Sequence, residues 1–591
     1  MEIESARRIV IVGGSTAGAS AATKARRTNE DAEITIFEQG PYASFAGCGL
    51  PYYVGGEVRD VNDLSCLSQK NFHTRYRIRV GLRQEVAAID RAGRRVHVKD
   101  LTTGNCSWHP FDRLILAHSA PPLLPSVPGI DLLGVFSLST VPDTEALRSY
   151  VLSDQVRQVA VIGGGFSGFE VMEALLNLGL EVHLVGSASH LMSHMDWEMA
   201  VPVAEHLRTE GVKLHLGAEP VVFIGETRLE RLELSTGEVV PVQLAVVANG
   251  LPRELSLARE AGLEIGPNGG VLVDDRMRTS DPDIYACGDM AEVVHCVSGK
   301  RVRLSLPGPA NREGRVAGSN AAGGNLRFGG VIGTCVVKAC YLSVGKTGLS
   351  EAEARQVGFE PIATYTHNHS IPDYMREAEI MAIKLVAERR SGRLLGAQIV
   401  GGQGVDKRTD VLATAIQAGM TVEELEGIDL ACSPPYSSEK DPVVMAAFAT
   451  ANRWRGEVET VSVQDLAQEM DAGKPIRIVD VRGARSFAAG HIPGSENLVL
   501  DMFRKSLHRF DPAETVTLIC HVGRGSYEGY RLLKHHGFRA RNVTGGFSSW
   551  RQAYHDRIEV GHEAARQIVA SSSLGNEDGR EHRTNSAERA D

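Results

Sequence analysis

Two glycine turns, each caught between a short apolar strand and a helix of small residues, constrain this chain more than any other feature. The first reads IVIVGGSTAG over residues 9–18 and carries Gly13, Ser15 and Gly18 at its three key positions; the second reads VAVIGGGFSG over 159–168 and carries Gly163, Gly165 and Gly168. Such a turn lets backbone N–H groups and the positive end of a helix approach a pyrophosphate with no side chain in the way. After the first turn, strand ITIF ends in Glu38, placed to accept hydrogen bonds from a ribose. Ser15 stands where a middle glycine is usual, so a Cβ points toward the phosphate there. One such turn is a weak signal, but two in one chain of 591 residues point to two dinucleotides, for which FAD and a nicotinamide nucleotide are the natural pair. The strand after the second turn ends in Gly186-Ser187-Ala188-Ser189, with neither an acid for NAD nor an arginine for NADP, which leaves NADH and NADPH both open.

A chain this long needs several buried cores. Its 43% apolar and 23% charged residues are those of an ordinary globular protein, and a net charge of -10 offers no basic field for nucleic acid. No apolar run is long enough to span a bilayer, and the start MEIESARRIVIVGG enters a strand without a signal peptide's apolar region. Nine cysteines lie scattered without CxxC pairs, which suits a reduced compartment and speaks against a zinc site or a disulfide framework. The expected location is the cytoplasm, with neither membrane nor nucleic acid as partner.

A third element, TSDPDIYACGD, ends a strand in Gly288-Asp289, and PGPANREGRVAG follows from residue 307. With the two glycine turns, this pattern resembles the pyridine nucleotide-disulfide oxidoreductases. The resemblance implies that Asp289 bonds the flavin's ribityl or phosphate region, with Pro309, Ala310 and Asn311 close to the ring. It also identifies SFAGCGLPYY, residues 44–53, as the redox string, with Ser44 on the flavin side. Two-cysteine members carry CxxxxC there, but here Cys48 is alone, with no resolving partner expected nearby, and would cycle as a mixed disulfide, persulfide or sulfenic acid.

The string is similar to the single-cysteine branch, which includes coenzyme A-disulfide, persulfide and polysulfide reductases as well as NADH oxidases and peroxidases. Oxidases and peroxidases carry a histidine in the first turn, where this chain has Thr16-Ala17. The coenzyme A-disulfide branch uses tyrosines from the partner subunit. Tyr436, in Ser433-Pro434-Pro435-Tyr436, matches one of them, able to protonate a departing thiolate; an interface aromatic is the other reading of that residue. Tyr374 is the weaker match for the second tyrosine, because Pro372-Asp373-Tyr374-Met375 departs from the family's Tyr-Tyr-Pro-Gly. The stretch GVDKRTDVLATAIQAGMTVEEL marks a dimerisation domain. Lys24, Arg26, Arg27 and Lys70 lie where the family recognises the head of coenzyme A, although solvated helix charges explain the same residues.

Beyond Gly456 a separate unit begins. Asp480-Val481-Arg482, the run Gly490-His491-Ile492-Pro493-Gly494, Asn497 and the closing Gly545-Gly546-Phe547-Ser548-Ser549-Trp550 resemble a rhodanese domain. Strand TVTLIC ends in Cys520, set before a helix whose start stabilises a thiolate or persulfide. Related fused proteins have an arginine five residues after this cysteine; here Arg524 is at four and Gly525 at five, which puts sulfur-transfer competence in question.

The expected fold is α/β: two nucleotide-binding Rossmann-like (three-layer ββα) domains, an α+β dimerisation domain and a C-terminal rhodanese-like α/β domain. The expected bounds are 1–118 with 245–322 for FAD, 119–244 for NAD(P)H, 323–451 for dimerisation, 452–557 for the rhodanese unit and 558–591 as a disordered tail. The resemblance implies a homodimeric FAD- and NAD(P)H-dependent reductase of coenzyme A disulfide, persulfide or polysulfide, with bound coenzyme A left open. A cysteine-sulfenic oxidase or peroxidase with a non-catalytic rhodanese module is the alternative.

Overall fold

The computed structural model describes residues 7–118, 126–153, 156–248 and 255–560. They form two compact units, one of the described residues up to Phe359 with Leu395–Met420, the other of Glu360–Leu394 with the described residues from Thr421 on. The polar tail lies, from residue 561, outside the described residues.

The first unit holds two five-stranded parallel sheets. In the first sheet, Arg8–Val12 (β1) lies between Glu33–Glu38 (β2) and Arg113–Leu116, flanked by Ile78–Leu82 and Ile284–Ala286. The IVIV run is buried throughout, as a parallel strand covered on both faces must be. Helix Thr16–Thr28 (α1) follows the first glycine turn, and Leu50–Gly55 (α2) follows the redox string. In the second sheet Gln158–Ile162 (β3) is central, between Glu181–Gly186 and Leu244–Val247, and Phe166–Asn177 (α3) follows its turn. Each sheet is accompanied by a three-stranded antiparallel meander, and one core joins the first meander, the first sheet, α1 and Pro307–Ala321 (α4). This is the expected three-layer α/β class.

One expected boundary is corrected. Leu244–Val247 pairs in parallel with both β3 and Val135–Ser137, so the chain leaves the second sheet after 247, not at 245. The apolar run LAVV looks the same in either sheet, and only its pairing partners assign it.

In the second unit, Pro361–His369 (β4) and Ile380–Glu388 form an antiparallel hairpin crossed by helix Pro442–Trp454. A parallel sheet follows in the order Thr460–Val461, Arg539–Val543, Thr515–Ile519 (β5), Arg477–Asp480, Glu496–Asn497. Helix Arg524–His535 (α5) leaves the end of β5. The sheet is fastened to β4: Thr544 Oγ1 accepts the Tyr365 N–H at 3.2 Å and donates to the Tyr365 carbonyl at 3.0 Å, while His367 Nε2 lies 3.0 Å from Ser549 Oγ. Residues 558 and 559, expected in the tail, pack on the module: Glu559 exchanges backbone hydrogen bonds with His491 and Ile558 packs on the Trp550 cluster.

The rhodanese-like strings converge on a buried ion pair. Arg482 meets Asp480 at 2.6 Å with side chains 7% and 0% exposed, donates to the Gly490 carbonyl and lies over the Phe547 ring, while Asn497 bonds the carbonyls of Asp480 and Arg482. These residues build the module. Asp480→Ala strands a buried guanidinium, and the expected loss is about 3–5 kcal/mol, measured as the shift of the C-terminal module's urea transition.

Candidate active site

Both glycine turns present bare helix ends. Gly13 and Gly163 have φ of +94° and +134°, and their N–H groups donate to the carbonyls of Phe37 and Val185 on the neighbouring strands. Gly18 and Gly168 let the helix sit on the turn, since a Cβ on them would lie 1.9 and 1.8 Å from the carbonyl oxygens of Gly13 and Gly163. Ser15 and Gly165 precede α1 and α3, neither helix has a side-chain cap, and the space beside Gly165 is open. Uncapped first-turn N–H groups fit a phosphate at both turns.

The residues expected on the flavin side meet around the first turn. Glu38 accepts the N–H groups of Gly14 and Gly40, both at 2.7 Å, which fixes its carboxylate at the turn. A Cβ on Gly288 would lie 2.9 Å from Ala17 Cβ and 3.7 Å from Ala310 Cβ, so the Gly288-Asp289 turn, α1 and the first turn of α4, where Pro309 also sits, close on one another. A Cβ on Gly14 would strike the Ala43 carbonyl at 2.1 Å, which brings the redox string to the same place. Ser44 Oγ is buried there without a hydrogen-bond partner among the described residues. An orphaned hydroxyl beside bare helix N–H groups fits a flavin dinucleotide.

Cys48 is exposed on a short turn, Gly47–Gly49, that opens α2. The helix runs on to the second nucleotide turn's helix, with a Cβ on Gly55 placed 3.2 Å from Ala174 of α3. One exposed thiol therefore stands on a segment that touches both glycine-turn units. On α3, burial and the neighbouring Glu173 push Glu170 up to about 7, and Glu173 itself pairs with Lys338 at 2.7 Å. Lys24 is half-buried, Arg27 and Lys70 are exposed, and none of the three forms an ion pair among the described residues. Arg26 is excluded from ligand recognition: it is 6% exposed and its guanidinium donates to the carbonyls of Tyr76, Glu30 and Arg77.

In the second unit, Cys520 is 6% exposed at the end of β5, and its Sγ accepts the Gly523 N–H at 3.1 Å and the Ser526 hydroxyl at 3.3 Å. The position that abuts the thiol is Gly525, where a Cβ would lie 3.8 Å from Sγ. Arg524 reaches Glu528 at 4.0 Å, and among the described residues the donors to Cys520 Sγ are Gly523 and Ser526. Arg524 lines a cavity of about 260 Å³ with Tyr374, His369 and Lys440. Tyr374 and Tyr436 are 73% and 74% exposed.

Residues 7–313 match the pyridine nucleotide-disulphide oxidoreductase model. The chain belongs to the pyridine nucleotide-disulphide oxidoreductases. Residues 334–442 match the dimerisation domain of these oxidoreductases and 462–553 the rhodanese-like domain. A curated relative, the CoA-dependent NAD(P)H sulfur oxidoreductase of Pyrococcus abyssi, is 33% identical over 75% of this chain and 97% of its own. Among solved structures, reduced CoADR-RHD of Bacillus anthracis is 36% identical with a TM-score of 0.91, covering 94% of this chain and 99% of that one. The NAD-dependent persulfide reductase of A. fulgidus is 34% identical with a TM-score of 0.86, covering 92% of this chain and 100% of that one.

As a pyridine nucleotide-disulphide oxidoreductase the chain is a flavoprotein that takes electrons from NAD(P)H. Sequence reasoning passed over three of its residues. Glu170 lies two residues past the second glycine turn and could have been read there. Ser526 lies six residues past Cys520 and is recognised only once α5 turns it onto the sulfur. Cys66 lies 18 positions after Cys48 and is brought back by a loop.

Proposed function

We propose that the protein uses NAD(P)H to reduce coenzyme A disulfide, persulfide or polysulfide at Cys48, and that Cys520 carries sulfane sulfur to that reaction. The observation that supports this most is the exposed Cys48 on a segment leaning on both glycine-turn helices, where one thiol serves a flavin and a nicotinamide site together. FAD, held by Gly13, Ser15, Gly18, Glu38, Ser44, Asp289, Pro309 and Ala310, supplies two-electron transfer from the nicotinamide to the thiol. The nicotinamide nucleotide binds across Gly163, Gly165 and Gly168. In this division, residues up to 118 with 248–322 bind FAD, 119–247 bind the nicotinamide nucleotide, 323–451 dimerise, and the rhodanese module follows.

The Cys48 thiolate attacks a substrate sulfur, displaces one thiolate and keeps the other half as a mixed disulfide. Tyr436 and Tyr374, exposed in the single chain, reach the partner subunit's site and protonate the departing thiolate. Lys24, Arg27 and Lys70 meet the phosphates of a coenzyme A head. Arg524 gathers the anionic substrate at the cavity it shares with Tyr374, beside the Cys520 loop. Thr16-Ala17 in the first turn, in place of a histidine, favours sulfur over peroxide as acceptor. Nine free cysteines fit a reducing cytoplasm, and among the described residues no helix is long and apolar enough to cross a membrane. Denaturing the purified protein should release FAD, and NAD(P)H oxidation should be at least about tenfold faster with coenzyme A disulfide or a persulfide than with peroxide, a gap of about 1.4 kcal/mol in barrier. Equal rates with peroxide overturn the reading.

A further inference from the structure

The loop after α2 returns to the redox string. The Ala46 N–H donates to the Leu64 carbonyl at 2.8 Å, and a Cβ on Gly49 would lie 2.3 Å from Leu64 Cδ2, so the segments around Cys48 and around Leu64 are clamped side by side. Leu64 also packs with Leu50 and Phe45 in one small core, which holds the clamp from below. Cys48 and Cys66 each stand two residues beyond the bonded pair, and both are exposed. Cys66 Sγ lies 3.9 Å from the Leu64 carbonyl oxygen, which keeps the thiol folded back on the clamp.

We infer that Cys66 is the resolving thiol of Cys48, closing a Cys48–Cys66 disulfide during turnover. The inference rests on the proposed sulfur chemistry of Cys48. After the Cys48 thiolate has displaced one thiolate from a disulfide RSSR, the Cys66 thiolate attacks Cys48 Sγ. The Cys48–SR bond breaks, the Cys48–Cys66 bond forms, and RS⁻ leaves with the proton that Cys66 gave up. Two electrons and one proton, which NAD(P)H supplies in the proposed reaction, then return a Cys48 thiolate and a Cys66 thiol. Both halves of the substrate are free before that reduction, so no thiol product has to stay bound.

The electrostatics give this sequence its order. Although the residue is exposed, partial burial of its sulfur pushes the Cys66 thiol up, the charge of Cys48 pushes it the same way, and the Ser44 hydroxyl works against both. While Cys48 is a thiolate, Cys66 keeps its proton; once Cys48 is a neutral mixed disulfide that push is gone, and Cys66 ionises more easily.

The test uses the flavin-loaded full chain, treated with one equivalent of coenzyme A disulfide, acid-quenched, alkylated and digested without reductant. The expected product is the Cys48 peptide joined to the Cys66 peptide, lighter by two hydrogen atoms than the two thiol peptides together. In Cys66→Ser the same treatment should leave coenzyme A attached to Cys48, with at least tenfold more adduct than in the parent protein. A parent protein whose Cys48 holds coenzyme A while Cys66 is alkylated overturns the resolving role and leaves the redox role of Cys48 standing. A Cys48 that is alkylated in both proteins removes the redox role, and the resolving role with it.

Discussion

Serine at position 48 should cut NAD(P)H-driven turnover of coenzyme A disulfide and persulfide by at least about 10³-fold while FAD remains bound. A hydroxyl neither ionises near neutral pH nor exchanges with a disulfide, so the covalent route through position 48 is lost. Gly13, Glu38 and the Gly288-Asp289 turn are untouched by the change, so flavin binding should be that of the parent protein. Two-electron reduction of the parent should produce long-wavelength absorbance from the thiolate beside the flavin, and the variant should lack it. Full activity in Cys48→Ser, or no such absorbance in the parent, removes the thiol from the reaction.

Serine at position 520 should abolish sulfur transfer from thiosulfate or polysulfide and leave coenzyme A disulfide reduction at its parent rate. Cys520 Sγ, with one backbone N–H and one hydroxyl donating to it at the start of α5, is placed to hold an anionic persulfide. Mass spectrometry after polysulfide exposure should show a peptide heavier by one sulfur atom in the parent and not in the variant. The loss in transfer should reach at least about 10³-fold, as removal of a covalent nucleophile does. A parent protein without that adduct removes sulfur transfer from Cys520.

The two glycine turns and Glu38 stand out as local strings with a readable spacing, whereas the Gly288-Asp289 turn and the Cys48 string stand out through the family resemblance. What the sequence hid depends on chain return. Cys66 becomes a neighbour of Cys48 through the Ala46–Leu64 hydrogen bond, and Leu244–Val247 takes its sheet from its partners. Arg26 resembled a surface base until three carbonyls enclosed it. Asp480 and Arg482 were visible as a rhodanese-like string, yet their burial as a pair, and hence their structural weight, needed Gly490, Asn497 and Phe547 brought around them.

Thr544 satisfies both backbone groups of Tyr365 on the side of β4 turned away from its hairpin partner. The C-terminal module thus covers, at Tyr365, backbone groups that an open strand edge would offer to another strand. A truncated reductase ending near Trp454 would uncover that edge together with His367, and laboratories wanting the shortened enzyme in monodisperse form will need a charged replacement on β4.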